Sequence, residues 1–223
     1  REIMQHVATI APHLFIGVPR FYEKLHAGIV AAIEAKPSWQ QGLARWAIRA
    51  GDRRARALRD GAAFSATDRL AALLAESLVL RRIRSVMGDN LRYLVSGSAP
   101  MPLWLLERFH ALGFLVLEAY GMSESIVPVA ANQPQRYRFG TVGLPMAGSE
   151  VKLAPDGELL LRGPGVFAGY LGEAAGGRLD AEGFLASGDY ASIDADGFVA
   201  LHGRKSEVFK TSTGRRIAPA RPR

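Results

Sequence analysis

Ser123 and Glu124 set a hydroxyl beside a carboxylate, directly after Tyr120, Gly121 and Met122. A serine following a short apolar run could be a hydrolase nucleophile, but that elbow requires glycine two residues to either side. Gly121 meets the first requirement and Ser125 occupies the second position, so the nucleophile reading fails. The histidines supply no base for it either: His6, His13, His26, His110 and His202 show neither metal-ligand spacing nor a triad pattern. Asp194-Ala195-Asp196-Gly197 imitates the start of a calcium loop, yet the twelfth position is Lys205, where a bidentate glutamate is needed. A hairpin turn is expected there. Gly163-Pro164-Gly165 followed by Gly169 lacks the spacing of a dinucleotide fingerprint and also reads as turns. Two polar, glycine-containing loops remain as chemical candidates, Ser96 to Pro100 and Tyr120 to Ser125.

The elements around these loops predict an α/β fold. Arg92 to Val95 is a β-prone run ending at Gly97, Pro102 to Leu112 reads as a helix closed by Gly113, and Phe114 to Leu117 is a second apolar strand. Strand, helix, strand implies a parallel sheet with a right-handed crossover, whose carboxyl-end loops are where such folds bind ligands. Upstream, from Arg20 to about Met87, apolar positions such as Phe21, Leu25, Ile29 and Ile33 recur at helical spacing. Pro37 can open a second helix, Gly61 marks a break, and Thr67 or Asp68 can cap a third. From Gly140 onward glycine and proline are frequent, and Glu150 to Leu153, Glu158 to Arg162 and Phe198 to Leu201 suggest a small β-rich subdomain. Hairpins are expected at Pro155-Asp156-Gly157 and at Asp194 to Gly197. The resulting plan is an α/β subdomain over 1–139 with a helical insertion over about 20–87, a β-rich subdomain over 140–202, and a closing segment over 203–223.

Bulk properties narrow the class. The 223 residues, 48% hydrophobic and 22% charged, can bury roughly 70% of their unfolded surface, which excludes disorder and fibre. No apolar run reaches the roughly 20 residues of a bilayer span; the stretch from Leu70 to Ile83 is broken by Glu76, Arg81 and Arg82. No secretory signal is visible at Arg1 to Ile10, and without cysteine there is no disulfide framework or thiolate metal site. A cytoplasmic location fits this pattern. The net charge of +7 lies wholly in residues 1–92, which hold 15 Lys and Arg against 8 Asp and Glu. Arg45, Arg49, Arg53, Arg54, Arg56 and Arg59 could touch acidic lipid headgroups or nucleic acid; the plainer reading is a solvated helix face.

Four segments in fixed order resemble the adenylate-forming superfamily, which includes acyl-CoA synthetases, luciferases and peptide-synthetase adenylation domains. Phe15-Ile16-Gly17-Val18-Pro19-Arg20 with Tyr22-Glu23-Lys24 is similar to the segment that long-chain acyl-CoA synthetases carry before their helical insertion. Ser96-Gly97-Ser98-Ala99-Pro100 resembles the Ser-Gly-Gly-Ala-Pro loop, and the resemblance implies that the main chain of Gly97, Ser98, Ala99 and Pro100 lies along the adenine and the acyl pocket. Small residues suit a backbone passing close to a flat base; a plain strand-to-helix turn would look alike. Tyr120-Gly121-Met122-Ser123-Glu124 resembles Tyr-Gly-x-Thr-Glu. By that resemblance Tyr120 stacks on adenine, Gly121 belongs to the nucleotide loop, Ser123 binds a phosphate oxygen and Glu124 holds Mg²⁺. A hydroxyl donor and a carboxylate-bound hard cation suit the neutralisation of triphosphate charge. Serine in place of threonine keeps the hydroxyl and loses the methyl that fixes its rotamer. Ser187-Gly188-Asp189 and Gly203-Arg204-Lys205-Ser206-Glu207, continuing through Lys210 to Gly214, resemble the ribose clamp and hinge, with Asp189 accepting from both ribose hydroxyls, Arg204 reaching the same sugar, and Lys205-Ser206 as pivot. Taken singly, Asp189 also fits a turn and Arg204 a surface cation; the ordered set of four points to one family.

The resemblance implies an ATP- and Mg²⁺-dependent ligase that converts a fatty acid to its acyl-adenylate and passes the acyl group to CoA, with small-molecule partners and no nucleic acid. The family's phosphate loop, ending in Lys-Gly, is expected upstream of Arg1, and its lysine-bearing C-terminal domain downstream of Arg223. The 223 residues are therefore expected to be an incomplete, inactive part of the enzyme. Two alternatives stay open: an adenylate former with a different acid or acceptor, and a non-catalytic nucleotide-binding or membrane-associated module.

Overall fold

The computed structural model describes residues 2–61, 63–172, 179–207, 209–210 and 216–217. The chain divides into two compact units, Arg1–Val116 and Leu117–Arg223.

In the first unit, α1 (Glu2–Ile10) leads to the short strand β1 (Leu14–Gly17) and then to α2 (Pro19–Glu34), which begins with proline in its first turn. The buried stripe of α2 is Tyr22, Leu25 and Ile29. Phe21, expected on that stripe, lies beside it, stacked 4.6 Å from Phe15. Tyr22 takes the inward place because its hydroxyl has a destination: it donates to the Val95 carbonyl at 2.7 Å, which removes the cost of burying the phenol.

Helix α3 (Ser38–Asp60) follows Pro37 and stops at Gly61, whose φ of +63° is the left-handed cap that favours glycine. Its buried face consists of Ala44, Ala47, Ala50, Gly51 and Ala55, residues small enough to let another helix approach closely. At Gly51 a β-carbon would lie 2.0 Å from the carbonyl oxygen of Ala111, at the end of α6 (Leu103–Ala111). On the outer face Arg56 pairs with Asp52, Arg53 with Asp68, and Arg59 with Asp60 and Glu107.

The next helix, α4 (Ala66–Ala75), is capped by Ser65, two residues before Thr67 and three before Asp68, the expected caps. The Ser65 hydroxyl accepts from the Asp68 amide at 3.1 Å and donates to the Asp68 carboxylate at 2.6 Å, so Asp68 completes the cap from the helix's third position. A π-turn (Glu76–Leu80), the short α5 (Arg81–Arg84) and a 3₁₀ turn (Ser85–Met87) bring the chain to β2 (Tyr93–Ser96). β1 and β2 pair in parallel, from Leu14 with Tyr93 to Gly17 with Ser96. The chain returns from α6 alongside β2, where the Leu94 amide donates to the Leu115 carbonyl at 2.8 Å. This is the expected α/β portion with parallel pairing. Its core is formed by Tyr22, Met87, Leu94, Leu105, Leu106, Phe109 and Leu112, all essentially inaccessible.

In the second unit, β3 (Val116–Met122), β4 (Ser125–Ala131) and β5 (Leu144–Pro145) pair antiparallel in sequence order. A meander of β6 (Glu150–Leu153), β7 (Glu158–Arg162), β8 (Leu185–Ile193) and β9 (Val199–Arg204) follows. Main-chain bonds join the two sheets: Val142 N–H donates to the Val199 carbonyl at 2.8 Å and Val199 N–H to the Gly143 carbonyl at 2.9 Å. Between them Tyr120, Val129, Ala130, Val142, Leu159, Leu161, Ala191 and Val199 form one apolar core. Both expected hairpin turns are present. Gly157 N–H donates to the Ala154 carbonyl at 2.9 Å. Asp194 closes the other, its Oδ1 accepting from Asp196 N at 3.0 Å and Phe198 N at 2.9 Å. A 3₁₀ turn, Lys205–Glu207, ends β9, and β10 (Phe209–Lys210) pairs antiparallel with β11 (Arg216–Ile217). Thr211 to Gly214 of the expected hinge segment lie outside the described residues. No helix among the described residues is long and apolar enough to cross a membrane.

Candidate functional site

Tyr120 to Ser125 is not a loop after a strand. The first three residues finish β3 and Ser125 opens β4, so Ser123 and Glu124 are the two-residue tip of a β-hairpin. Met122 pairs with Ser125, and the register slips between Tyr120 and Met122, with Gly121 at the slip. Glycine and a polar pair at the strand end read as loop from sequence. Cross-strand bonding overrides that tendency once β4 supplies a partner. The tip is buttressed: Phe167 N–H donates to the Glu124 carbonyl at 2.8 Å and Ile126 N–H to the Gly165 carbonyl at 3.0 Å.

That buttress adds a residue the sequence did not single out. Tyr170, whose ring stands edge-on to Phe167 with centroids 4.8 Å apart, donates its hydroxyl to Glu124 Oε1 at 2.5 Å. This hydrogen bond, with the Arg204 guanidinium as a smaller contribution, holds the Glu124 carboxyl below the usual carboxylate range, so it is ionised at neutral pH. Ser123 is exposed beside it. No motif marks a tyrosine 46 residues downstream, and only the folding of 163–170 against the hairpin brings it there.

Asp189 is the buried centre of the site, its side chain only 8% exposed. Tyr120 donates to Oδ2 at 2.6 Å and Arg204 Nε approaches Oδ1 to 2.9 Å. Asp189 and Arg204 are register partners on β8 and β9, so a single strand pairing sets the ion pair. The Ser187 hydroxyl accepts from the Asp189 amide at 3.0 Å. Burial, then the bond to Asp189, raises the Tyr120 phenol well above its ordinary value, so it remains a donor throughout the physiological range. The residue as a whole is 7% exposed and belongs to the core cluster. The geometry thus gives Tyr120 the part of donor to Asp189, and the stack on adenine that the resemblance implies would have only the small exposed remainder of the residue.

Lys205 and Ser206 are exposed in the 3₁₀ turn. Lys205 Nζ lies 2.8 Å from Asp156 Oδ2 and 2.6 Å from Glu158 Oε2, and these carboxylates raise its pKa.

Gly97, Ser98, Ala99 and Pro100 belong to the first unit, after β2. Gly97 N–H donates to the Gly17 carbonyl at 3.2 Å. Ser98 has a φ of +69°, a left-handed conformation that costs a non-glycine residue roughly 1–2 kcal/mol. The neighbouring Ser96 hydroxyl is buried without a hydrogen-bond partner among the described residues. Strain in the loop and an unsatisfied polar atom at the strand end that leads into it are features of segments shaped for a ligand more than for stability.

The donor set fits a nucleotide. An ionised carboxylate offers about four acceptor directions. Tyr120 and Arg204 use two at Asp189, which leaves capacity for a vicinal diol. Among the described residues no three histidine or acidic side chains converge as a preformed metal cage. Mg²⁺ commonly binds through one or two carboxylates plus phosphate and water oxygens, a demand that Glu124 alone can meet.

Comparison with known proteins accords with this geometry. A protein of Mycobacterium tuberculosis named as a fatty-acid–CoA ligase, FadD11, is 38% identical over 227 residues, covering 99% of this chain and 39% of its own length. The long-chain-fatty-acid–CoA ligase FadD15 of Mycobacterium bovis is 34% identical over 234 residues, covering 99% of this chain and 36% of its own. The chain thus spans about two-fifths of the length of these curated relatives. Among solved structures, o-succinylbenzoate CoA synthetase from Bacillus subtilis, in complex with ATP and magnesium ion, matches with a TM-score of 0.54 and 29% identity over 69% of this chain and 33% of that one. The model of the AMP-binding enzyme family matches residues 1–171. On that match and the FadD relatives, this chain belongs to the AMP-binding enzyme family.

Proposed function

We propose that the protein containing this chain is an ATP-dependent fatty-acid–CoA ligase. In the first step a carboxylate oxygen of the fatty acid attacks the α-phosphorus of ATP; the α–β anhydride bond breaks and pyrophosphate leaves. In the second the CoA thiol sulfur attacks the acyl carbon, loses its proton, and displaces AMP as the acyl–phosphate bond breaks. ATP and CoA as co-substrates agree with a cytoplasmic location.

The observation that carries this reading is the Asp189 centre, a buried carboxylate oriented by Tyr120 and Arg204 with acceptor capacity left for ribose hydroxyls. Arg204, 54% exposed, keeps guanidinium donors available for the same ligand. At the hairpin tip Ser123 offers a donor to phosphate, and Glu124, held ionised, is the proposed ligand of Mg²⁺. Bound there, the ion would offset charge on the phosphate oxygens as pyrophosphate departs. Gly97 to Pro100 are proposed to border the adenine and acyl group, supported by the strain at Ser98. Lys205 and Ser206 are the proposed pivot. The names of FadD11 and FadD15 support a fatty acid as substrate. A second reading, a different acid, is favoured by the 29% identity to an o-succinylbenzoate CoA synthetase.

The test is CoA-dependent AMP release by the complete protein across acids of several chain lengths. Turnover with long-chain acids, falling about a hundredfold in kcat/KM for Asp189→Asn, is the expected result. Release confined to another class of acid selects the second reading, and absence of any acyl-adenylate overturns both.

A further inference from the structure

Glu158 opens β7 and is 8% exposed, a costly place for a carboxylate unless its oxygens find donors. They do, in two directions. Oε1 accepts from the Gly188 amide at 2.9 Å and Oε2 from Lys205 Nζ at 2.6 Å. Gly188 immediately precedes Asp189, and Lys205 immediately follows Arg204. One side chain therefore holds the main chain next to the buried acid and the strand end next to its cationic partner. Gly188 has a φ of +73°, so the chain leaves regular strand geometry just before Asp189 and depends on an outside acceptor for its amide. The register also slips between Glu158 and Leu160 and between Tyr190 and Ala191, which leaves the ladder bonds less able to fix this corner.

We propose that Glu158 is a positioning residue for the nucleotide ribose, acting as a latch that fixes Asp189 through Gly188 and Arg204 through Lys205. The inference rests on the proposed nucleotide reading of Asp189. With the carboxylate slightly out of place, the site keeps its other contacts with a nucleotide, but the acceptor pair no longer matches a sugar diol. Loosening the latch therefore lowers discrimination between ribose and deoxyribose more than it lowers binding of a nucleotide lacking the hydroxyl.

The experiment is equilibrium titration of the complete protein with ATP and with 2′-deoxy-ATP, with thermal unfolding measured in parallel. Glu158→Gln keeps an acceptor for Gly188 and loses the ion pair; Lys205→Met breaks the pair from the exposed side, where failure to fold is not expected. Both should weaken ATP binding about fivefold while leaving 2′-deoxy-ATP nearly unchanged, and Lys205→Arg should restore the preference. Asp189→Asn is the control. Should it leave the preference intact, the ribose reading of Asp189 fails and the latch with it. Should Asp189→Asn abolish the preference while Glu158→Gln and Lys205→Met only lower the melting temperature, the latch is refuted and Glu158 is a stabilising residue alone.

Discussion

Tyr120 donates its hydroxyl to Asp189 Oδ2 at 2.6 Å across 69 residues of sequence, tying the end of β3 to the middle of β8. The bond satisfies a buried phenol and half of a buried carboxylate at once. Neither group could sit there alone at acceptable cost.

Tyr120→Phe keeps the ring in the core and leaves Asp189 short of a donor. A loss of about 2 kcal/mol in unfolding free energy is expected, read by urea denaturation at neutral pH. The phenol's pKa is raised in the folded state, so its contribution is fully present below about pH 10, where unfolded tyrosine begins to ionise, and is lost as pH rises further. The variant should therefore lose stability less steeply above pH 10 than the parent. An unchanged slope would remove Tyr120 from the alkaline transition.

Gly51→Ala sets two effects against each other. Alanine improves helix propensity by about 1 kcal/mol. The new methyl carbon, however, would stand 2.0 Å from the Ala111 carbonyl oxygen, main-chain matter that cannot rotate away. Overpacking of about 2–3 kcal/mol should win, giving net destabilisation in a denaturant titration. A stabilised variant would show that α3 and α6 separate readily.

Ser98→Gly should raise stability by about 1 kcal/mol, since glycine adopts the φ of +69° without the steric penalty. Ser98→Val should lower it by more, because a β-branched residue fits that conformation worst. Calorimetric melting temperatures of the two variants, moving in opposite directions, are the readout.

Tyr170→Phe removes the largest influence holding the Glu124 carboxyl low. Its pKa should move up toward the ordinary carboxylate value, measurable by NMR titration of the glutamate side chains. In the parent, any stability linked to this ionisation is present above the ordinary carboxylate pKa and lost as pH falls through the depressed one; the variant should show less of that acid-side dependence, Arg204 still contributing. If Glu124 titrates identically in both proteins, the tyrosine is not its partner in solution.

The helical stretch, the strand after Asn90, helix α6 and both tight turns were readable because each rests on local signals: apolar spacing, proline at helix starts, and glycine or aspartate where φ or a side-chain acceptor demands it. The run Glu158 to Arg162 was legible to the residue because three consecutive leucines follow the Pro155-Asp156-Gly157 turn and precede Gly163, and Leu159 and Leu161 are buried. β8 was missed as a strand because Gly188 and Asp189 are poor strand formers, and only pairing with β7 and β9 makes them one. The cap of α4 fell to Ser65 because Asp68 serves better as its reciprocal partner from inside the first turn.

The sequence by itself determined the family, since four short motifs in order name residue types that nucleotide chemistry requires wherever they fold, and it nominated Tyr120, Ser123, Glu124, Asp189 and Arg204. Only the tertiary structure decided that Ser123 and Glu124 cap a hairpin, that Tyr170 governs Glu124, and that Tyr120 serves Asp189 with its hydroxyl. Glu158 likewise became visible only through its bonds to Gly188 and Lys205. Hydrogen bonds between residues 30 to 69 positions apart leave no local periodicity or spacing. They depend on strand register and on what burial forces polar groups to find.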